Sequence, residues 1–120
     1  MAIFKVKLTI NQGETFRQSF TWQTQPVPTT PATPVDLTGY TARMQIRQNY
    51  GQPVIAELNT TNNGIVLGGT AGTVDLYISA VTTAAFTPGT ALYDIEFTAP
   101  NGDVIRKIAG AITITPEVTI

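Results

Sequence analysis

Two carboxylates at alternate positions of one segment, Asp94 and Glu96 in Tyr93-Asp-Ile-Glu-Phe97, are where chemistry would have to start in this chain. On an extended backbone, residues two apart point the same way, so the pair would sit side by side on one face. A glycosidase uses two carboxyl groups in that manner, and a calcium site gathers carboxylate oxygens. The ordinary reading of such a pair is the solvated face of a strand. The 120 residues include no His and no Cys. That removes the commonest general base, the commonest metal ligand and any thiolate site. Asn62-Asn-Gly64 and Asn101-Gly-Asp103 look like fragments of calcium loops, but they lack the further spaced carboxylates and fit plain turns. Gly64 and Gly68-Gly69 do not make a phosphate loop, because no helix follows to supply the anion site. Arg43 and Arg47 lie on one strand face, two pleats apart, and would pair structurally with Asp94 or Glu96 across strands. No catalytic residue, cofactor or metal ligand is expected, and the chain does not read as an enzyme.

The elements that must position these groups are strands. From Ile3 to Ile10 the residues Phe4, Val6, Leu8 and Ile10 alternate with Lys5, Lys7 and Thr9, which predicts a first strand. After the turn residues Asn11-Gln-Gly13, Phe16, Phe20 and Trp22 share a parity from Thr15 to Thr24 and predict an aromatic-rich second strand. Gln25 to Pro34 holds four of the eight prolines and cannot ladder regularly, so residues 25–34 are expected to form an exposed Pro/Thr-rich loop. Asp36-Leu-Thr-Gly-Tyr40 turns the chain into a strand whose inward row is Tyr40, Ala42, Met44 and Ile46. A shorter strand follows from Val54 to Leu58. Ile65-Val-Leu67 and the row Val74, Leu76 and Ile78 then form a hairpin about a flexible tip at Gly68–Gly72. Ser79 is placed to cap one short helical turn, Ala80 to Ala85, pinned by Phe86 and ended by Pro88-Gly89. Tyr93, Ile95 and Phe97, a turn at Pro100-Asn-Gly-Asp103, and Ile108, Gly110, Ile112 and Ile114 complete the pattern.

The pattern predicts an all-β fold: an immunoglobulin-like antiparallel β-sandwich of about seven to eight strands with one short helical turn. Residues 1–120 are expected to form one domain. Tyr93 stands near the start of a late strand after a corner, where such sandwiches carry a tyrosine corner; a plain core tyrosine is the other reading. Charged residues make up only 12%, against about 25% in an average globular protein, so Thr, Asn, Gln and Ser must build the polar surface. The net charge is −1 and the basic residues are scattered, so neither nucleic acid nor an anionic membrane is an expected partner. The segment Met-Ala-Ile-Phe-Lys-Val-Lys interleaves charge with apolar residues and reads as neither signal peptide nor membrane span.

Four stretches carry a resemblance: Pro34-Val-Asp-Leu-Thr-Gly-Tyr-Thr-Ala-Arg-Met-Gln-Ile-Arg47, Ile78-Ser-Ala-Val-Thr-Thr-Ala-Ala-Phe-Thr-Pro-Gly89, Tyr93-Asp-Ile-Glu-Phe97 and Thr113-Ile-Thr-Pro-Glu-Val-Thr119. The chain resembles small virion proteins of tailed bacteriophages and is similar to the N-terminal domain of the phage baseplate upper protein family. The resemblance implies a non-enzymatic sandwich that docks to other virion proteins in the tail, baseplate, collar or fibre attachment region. It also implies a homo-oligomer made in the host cytoplasm and located in the virion. This chain differs from that family in stopping after one domain. The alternatives are a capsid head decoration protein and a carbohydrate-binding module, the latter requiring an exposed aromatic row among Trp22, Tyr40, Tyr50 and Tyr77. Low charge and apolar outer strands suit a subunit contact at Ile3 to Ile10 or at Ala111 to Ile120, the latter read as an exposed apolar edge. Ile3, Lys5, Lys7, Arg43, Arg47, Pro116, Val118 and Ile120 are the candidate interface residues.

Overall fold

The computed structural model describes residues 4–24 and 33–118. In chain order the strands are β1 (Phe4–Lys5), β2 (Leu8–Asn11), β3 (Phe16–Thr21), β4 (Gln23–Thr24), β5 (Thr33–Pro34), β6 (Thr41–Arg47), β7 (Val54–Asn59), β8 (Ile65–Leu67), β9 (Thr73–Ile78), β10 (Gly89–Thr98) and β11 (Val104–Thr115). A 3₁₀ turn at Gly69–Ala71 lies between β8 and β9, and helix α1 (Ala80–Ala84) lies between β9 and β10. Ser79 caps α1 through a hydrogen bond accepted from the Thr82 N–H, and Phe86 is buried just beyond it.

The large sheet has the order β1/β2, β11, β10, β6, β7, and the small sheet the order β3, β9, β8. Strands β10, β11, β6 and β7 pair antiparallel, whereas β1 and β2 run parallel to β11. One sheet built from the sixth, seventh, tenth and eleventh strands, facing another built from the third, eighth and ninth, is the strand arrangement of an immunoglobulin-like β-sandwich. The alternation read from the sequence fills the space between the sheets. Ala42, Met44, Ile46, Ala91, Tyr93, Ile95, Phe97, Ile108, Ile112 and Ile114 meet Phe16, Trp22, Ile65, Val74, Leu76 and Ile78. Trp22 sits at the centre, 5.1 Å from the Phe97 ring and edge-on to Tyr40 at 6.4 Å.

Three expectations are corrected, and the two readings of Tyr93 are resolved in favour of a core tyrosine. The first strand is not continuous: β1 and β2 keep one register along β11, but Val6 and Lys7 interrupt them. The reason lies at Gly110, where a Cβ would fall on the Val6 carbonyl oxygen and 2.9 Å from the Val6 carbonyl carbon. Val6 thus leans onto β11 where no side chain stands, and the Tyr93 hydroxyl donates to its carbonyl oxygen at 2.7 Å. Tyr93 is therefore not a tyrosine corner, because its acceptor is 87 residues away rather than a few residues upstream. The C-terminal strand is not an edge: β11 ends at Thr115 and is flanked by β10 on one side and β1/β2 on the other. Thr33 and Pro34 do ladder, with Thr24 and Gln23, and Val35 continues the link by donating to the Trp22 carbonyl. Residues 25–32 lie outside the described residues.

The turns follow their residue chemistry. Asp36 accepts from the Thr38 N–H and Tyr40 donates to the Leu37 carbonyl, with Gly39 at φ +80°, so this turn needs its glycine. The hydrogen bonds from Thr38 hold the Asp36 carboxyl below its ordinary range. At the β7–β8 turn, Asn59 and Asn62 accept from backbone N–H groups and Asn63 takes a left-handed φ of 63°. Both side-chain oxygens are thus used in closing the chain, as a turn requires and a calcium loop does not.

Burial pushes the Tyr93 phenol up to about 12. The unfolded chain releases this proton near 10, so the latch is fully in place below pH 10, and its stabilisation is lost as pH rises from 10 toward 12. Tyr93→Phe is expected to lower stability by about 1–3 kcal/mol through the orphaned Val6 carbonyl, and to flatten that alkaline fall. Chemical denaturation at pH 7 and at alkaline pH checks both.

Candidate functional site

The outer face of the large sheet is laid out in rows by its register. One row is Val54, Arg47, Leu92 and Ala111, and the next is Glu57, Gln45, Asp94, Ala109 and Lys5. A third is Asn59, Arg43, Glu96 and Arg106. Asp94 and Glu96 do share this face, as their parity required. Glu96 stands between Arg43 and Arg106, and Asp94 makes the single ion pair found among the described residues, with Arg106 at 3.7 Å. That partner is not Arg43 or Arg47: Arg43 stands opposite Glu96, and Arg47 is turned to Gln45 and the Gln52 carbonyl. Both ends of the ion pair are about half exposed, so it adds little to stability. No group of three or more His, Cys, Asp or Glu is placed to hold a metal among the described residues.

Between the first two rows the face sinks into a depression of about 610 Å³. Its floor is Ala109, Gly110 and Ala111 with Leu92, and its rim carries Lys5, Arg47, Arg106, Asp94 and the Asn49–Gly51 loop. The depression exists because the two outward residues here on β11, Ala109 and Ala111, have no side chain beyond Cβ. Gly110 is required by the close approach of Val6, but Ala109 and Ala111 point outward, and the core does not demand their small size. Arg47 is held in place: it donates to Gln45 Oε1 at 2.9 Å and to the Gln52 carbonyl oxygen. Gln45 in turn donates to Glu57 at 2.8 Å, and Asn59 donates to the other Glu57 oxygen at 2.9 Å. These bonds, Gln45 first and Asn59 second, hold the Glu57 carboxyl below its usual range, with the charge of Arg43 adding to the effect. Tyr50, 87% exposed, stands at the lip.

The small sheet's outer face differs. Arg17 lies over the Tyr77 ring at 4.7 Å, and Ser19 donates to Asp75 at 2.6 Å, each with the residue directly opposite in register. These four residues are used within the small sheet.

The candidate residues divide accordingly. Lys5 and Arg47 line the depression, while Arg43 lies in the neighbouring row. Lys7 is exposed in the interruption of the first strand. Pro116 and Val118 are exposed beyond β11, where the tail is fastened by the Glu117 N–H donating to Gln12 Oε1. Ile3 and Ile120 lie outside the described residues. Arg106, Asp94 and the Ala-Gly-Ala floor are the members that parity alone did not assemble, since strand order decides them. The aromatic row needed for sugar stacking is not formed by the four candidates. Trp22 is buried, Tyr40 half-buried, Tyr50 caps the large face and Tyr77 belongs to the small one.

The chain is thus an immunoglobulin-like β-sandwich whose large sheet carries a basic-rimmed depression on its outer face. No protein-family model and no curated protein matches it. Among solved structures it is similar to CopC from Methylosinus trichosporium OB3b, at 9% identity and a TM-score of 0.46 over 95% of this chain and 88% of that one. It is also similar to murine CRIg, at 11% identity and a TM-score of 0.42 over 92% of each chain. At these values the strand order, rather than the likeness, carries the fold. No helix of the described residues is long and apolar enough to cross a membrane.

Proposed function

We propose that the chain is a non-enzymatic structural protein of a bacteriophage virion, a tail, baseplate or collar adaptor that docks to neighbouring subunits and attaches fibres. The observation that carries this reading is the open outer face of β6, β10 and β11, with its depression and pre-oriented Arg47. A docking module needs a surface with room for a partner and charged groups already oriented at its rim, and this depression with the fixed Arg47 offers both. The stretches that resemble virion proteins support it, because Asp36–Tyr40 turns the chain directly into β6 and Tyr93–Phe97 is the middle of β10. The test is the number of copies in purified particles, with the mass in solution from light scattering. Copies in the tens and an oligomeric mass support the adaptor. Hundreds of copies would instead favour a head decoration protein, and absence from particles would sink the virion reading.

A further inference from the structure

We propose that the depression on the large sheet is a docking site for an acidic, extended segment of a neighbouring protein. This deepens the docking role above by naming the partner's chemistry. Charge complementarity is the first argument. Three cations, Lys5, Arg47 and Arg106, rim the depression against one carboxylate, Asp94, which is already paired with Arg106. The lining thus keeps two net positive charges in a chain whose net charge is −1, with Glu57 and Glu96 in the flanking positions outside it. Shape is the second. From Lys5 on β1 across β11 and β10 to β6 the site spans three strand spacings, about 14 Å. A lone phosphate cannot meet cations at both ends of that span, whereas four or five extended residues, at about 3.3 Å each, can. The third is the floor. Ala109, Gly110 and Ala111 leave room for a small apolar side chain of the visitor between carboxylates that reach Lys5 and Arg47. Arg47, fixed through Gln45 and the Gln52 carbonyl, loses little freedom on binding.

The probe is a fluorescein-labelled peptide of repeating Glu-Ser-Ala-Ser, whose extended backbone sets Glu and Ala in turn along one face, read by fluorescence anisotropy, with the same peptide carrying Lys in place of Glu as the control. The acidic peptide is expected to bind, and the basic one is not. Raising salt from about 20 to about 200 mM is expected to weaken binding several-fold. Lys5→Ala with Arg47→Ala is expected to weaken it about tenfold. Ala111→Gln, which fills the floor from the solvent side, is expected to weaken it at unchanged charge. Arg17→Ala, which removes a cation from the other sheet, is expected to leave it unaltered. No binding at low salt, or equal loss from Arg17→Ala, would overturn the proposal. So would a rise in the protein's own mass that Lys5→Ala with Arg47→Ala abolishes, because the occupant would then be a second copy. Failure of peptide binding in a protein still counted in particles would leave the virion reading standing. Binding by a protein absent from particles would do the reverse.

Discussion

Phe97→Ala is expected to lower stability by about 3–5 kcal/mol, the range for an aromatic ring deleted from a core. Phe97 is fully buried in β10, with β6 on one side and β11 on the other. Its ring meets Trp22 at 5.1 Å from across the sandwich. The hole left behind would be walled by regular strands pinned by their ladders, which cannot collapse into it as a loop would. Trp22 is also in contact with Tyr40 edge-on and with the Lys107 ammonium 5.4 Å from its ring, contacts it would have to give up to fill the space. Urea denaturation should show a lower midpoint at an unchanged slope. A loss under about 1 kcal/mol would mean that the two sheets are not joined through this contact.

Gly110→Ala is expected to cost about 3 kcal/mol, at the upper end for an inserted methyl group, because its neighbour is backbone and cannot turn aside. The new Cβ would meet the Val6 peptide, and the nearest relief is to lift the first strand off β11. Amide exchange should therefore quicken at Val6, whose N–H donates to the Ala109 carbonyl at 2.9 Å, ahead of residues in β6 or β10. Since the Tyr93 hydroxyl donates to the Val6 carbonyl that the new Cβ would strike, Gly110→Ala and Tyr93→Phe should be less than additive when combined. Undiminished stability in Gly110→Ala would mean that the close approach of Val6 is not fixed by the missing side chain.

The inward rows of β6, β9 and β10, the Ser79 cap and the Asp36–Tyr40 turn could be read from residue order, because each depends on neighbours a few positions apart. Alternation reports which face a residue takes, but not which strand lies beside it. The tail of the chain therefore read as an apolar edge, although β11 is buried between two partners. The same gap hid the depression: Arg43 and Arg47 were placed on one face, but only the pairing of β1 with β11 and of β11 with β10 brings Lys5 and Arg106 to it. A bulge adds a further slip. Ile95 faces Ile108 while Glu96 faces Arg106, so Lys107 is the extra residue and is carried to the interior beside Trp22, where strict alternation from Ile108 would send it to solvent. The residues that end regular pairing, Gly110 and Val6, are ordinary in sequence and become informative only when 104 positions of chain separation close to one contact.

The parallel course of β1/β2 and β11 also decides how the domain would answer a mechanical load. Phe4 lies beside Ile108 and Asn11 beside Thr115, so the chain enters the ladder at one end and leaves it at the other. Tension applied through those two points slides the strands along each other. Every rung of the ladder must then yield together, whereas an antiparallel pair pulled from one end opens like a zipper, one rung at a time. The Tyr93 hydroxyl on Val6 lies across that sliding plane and acts as a shear pin.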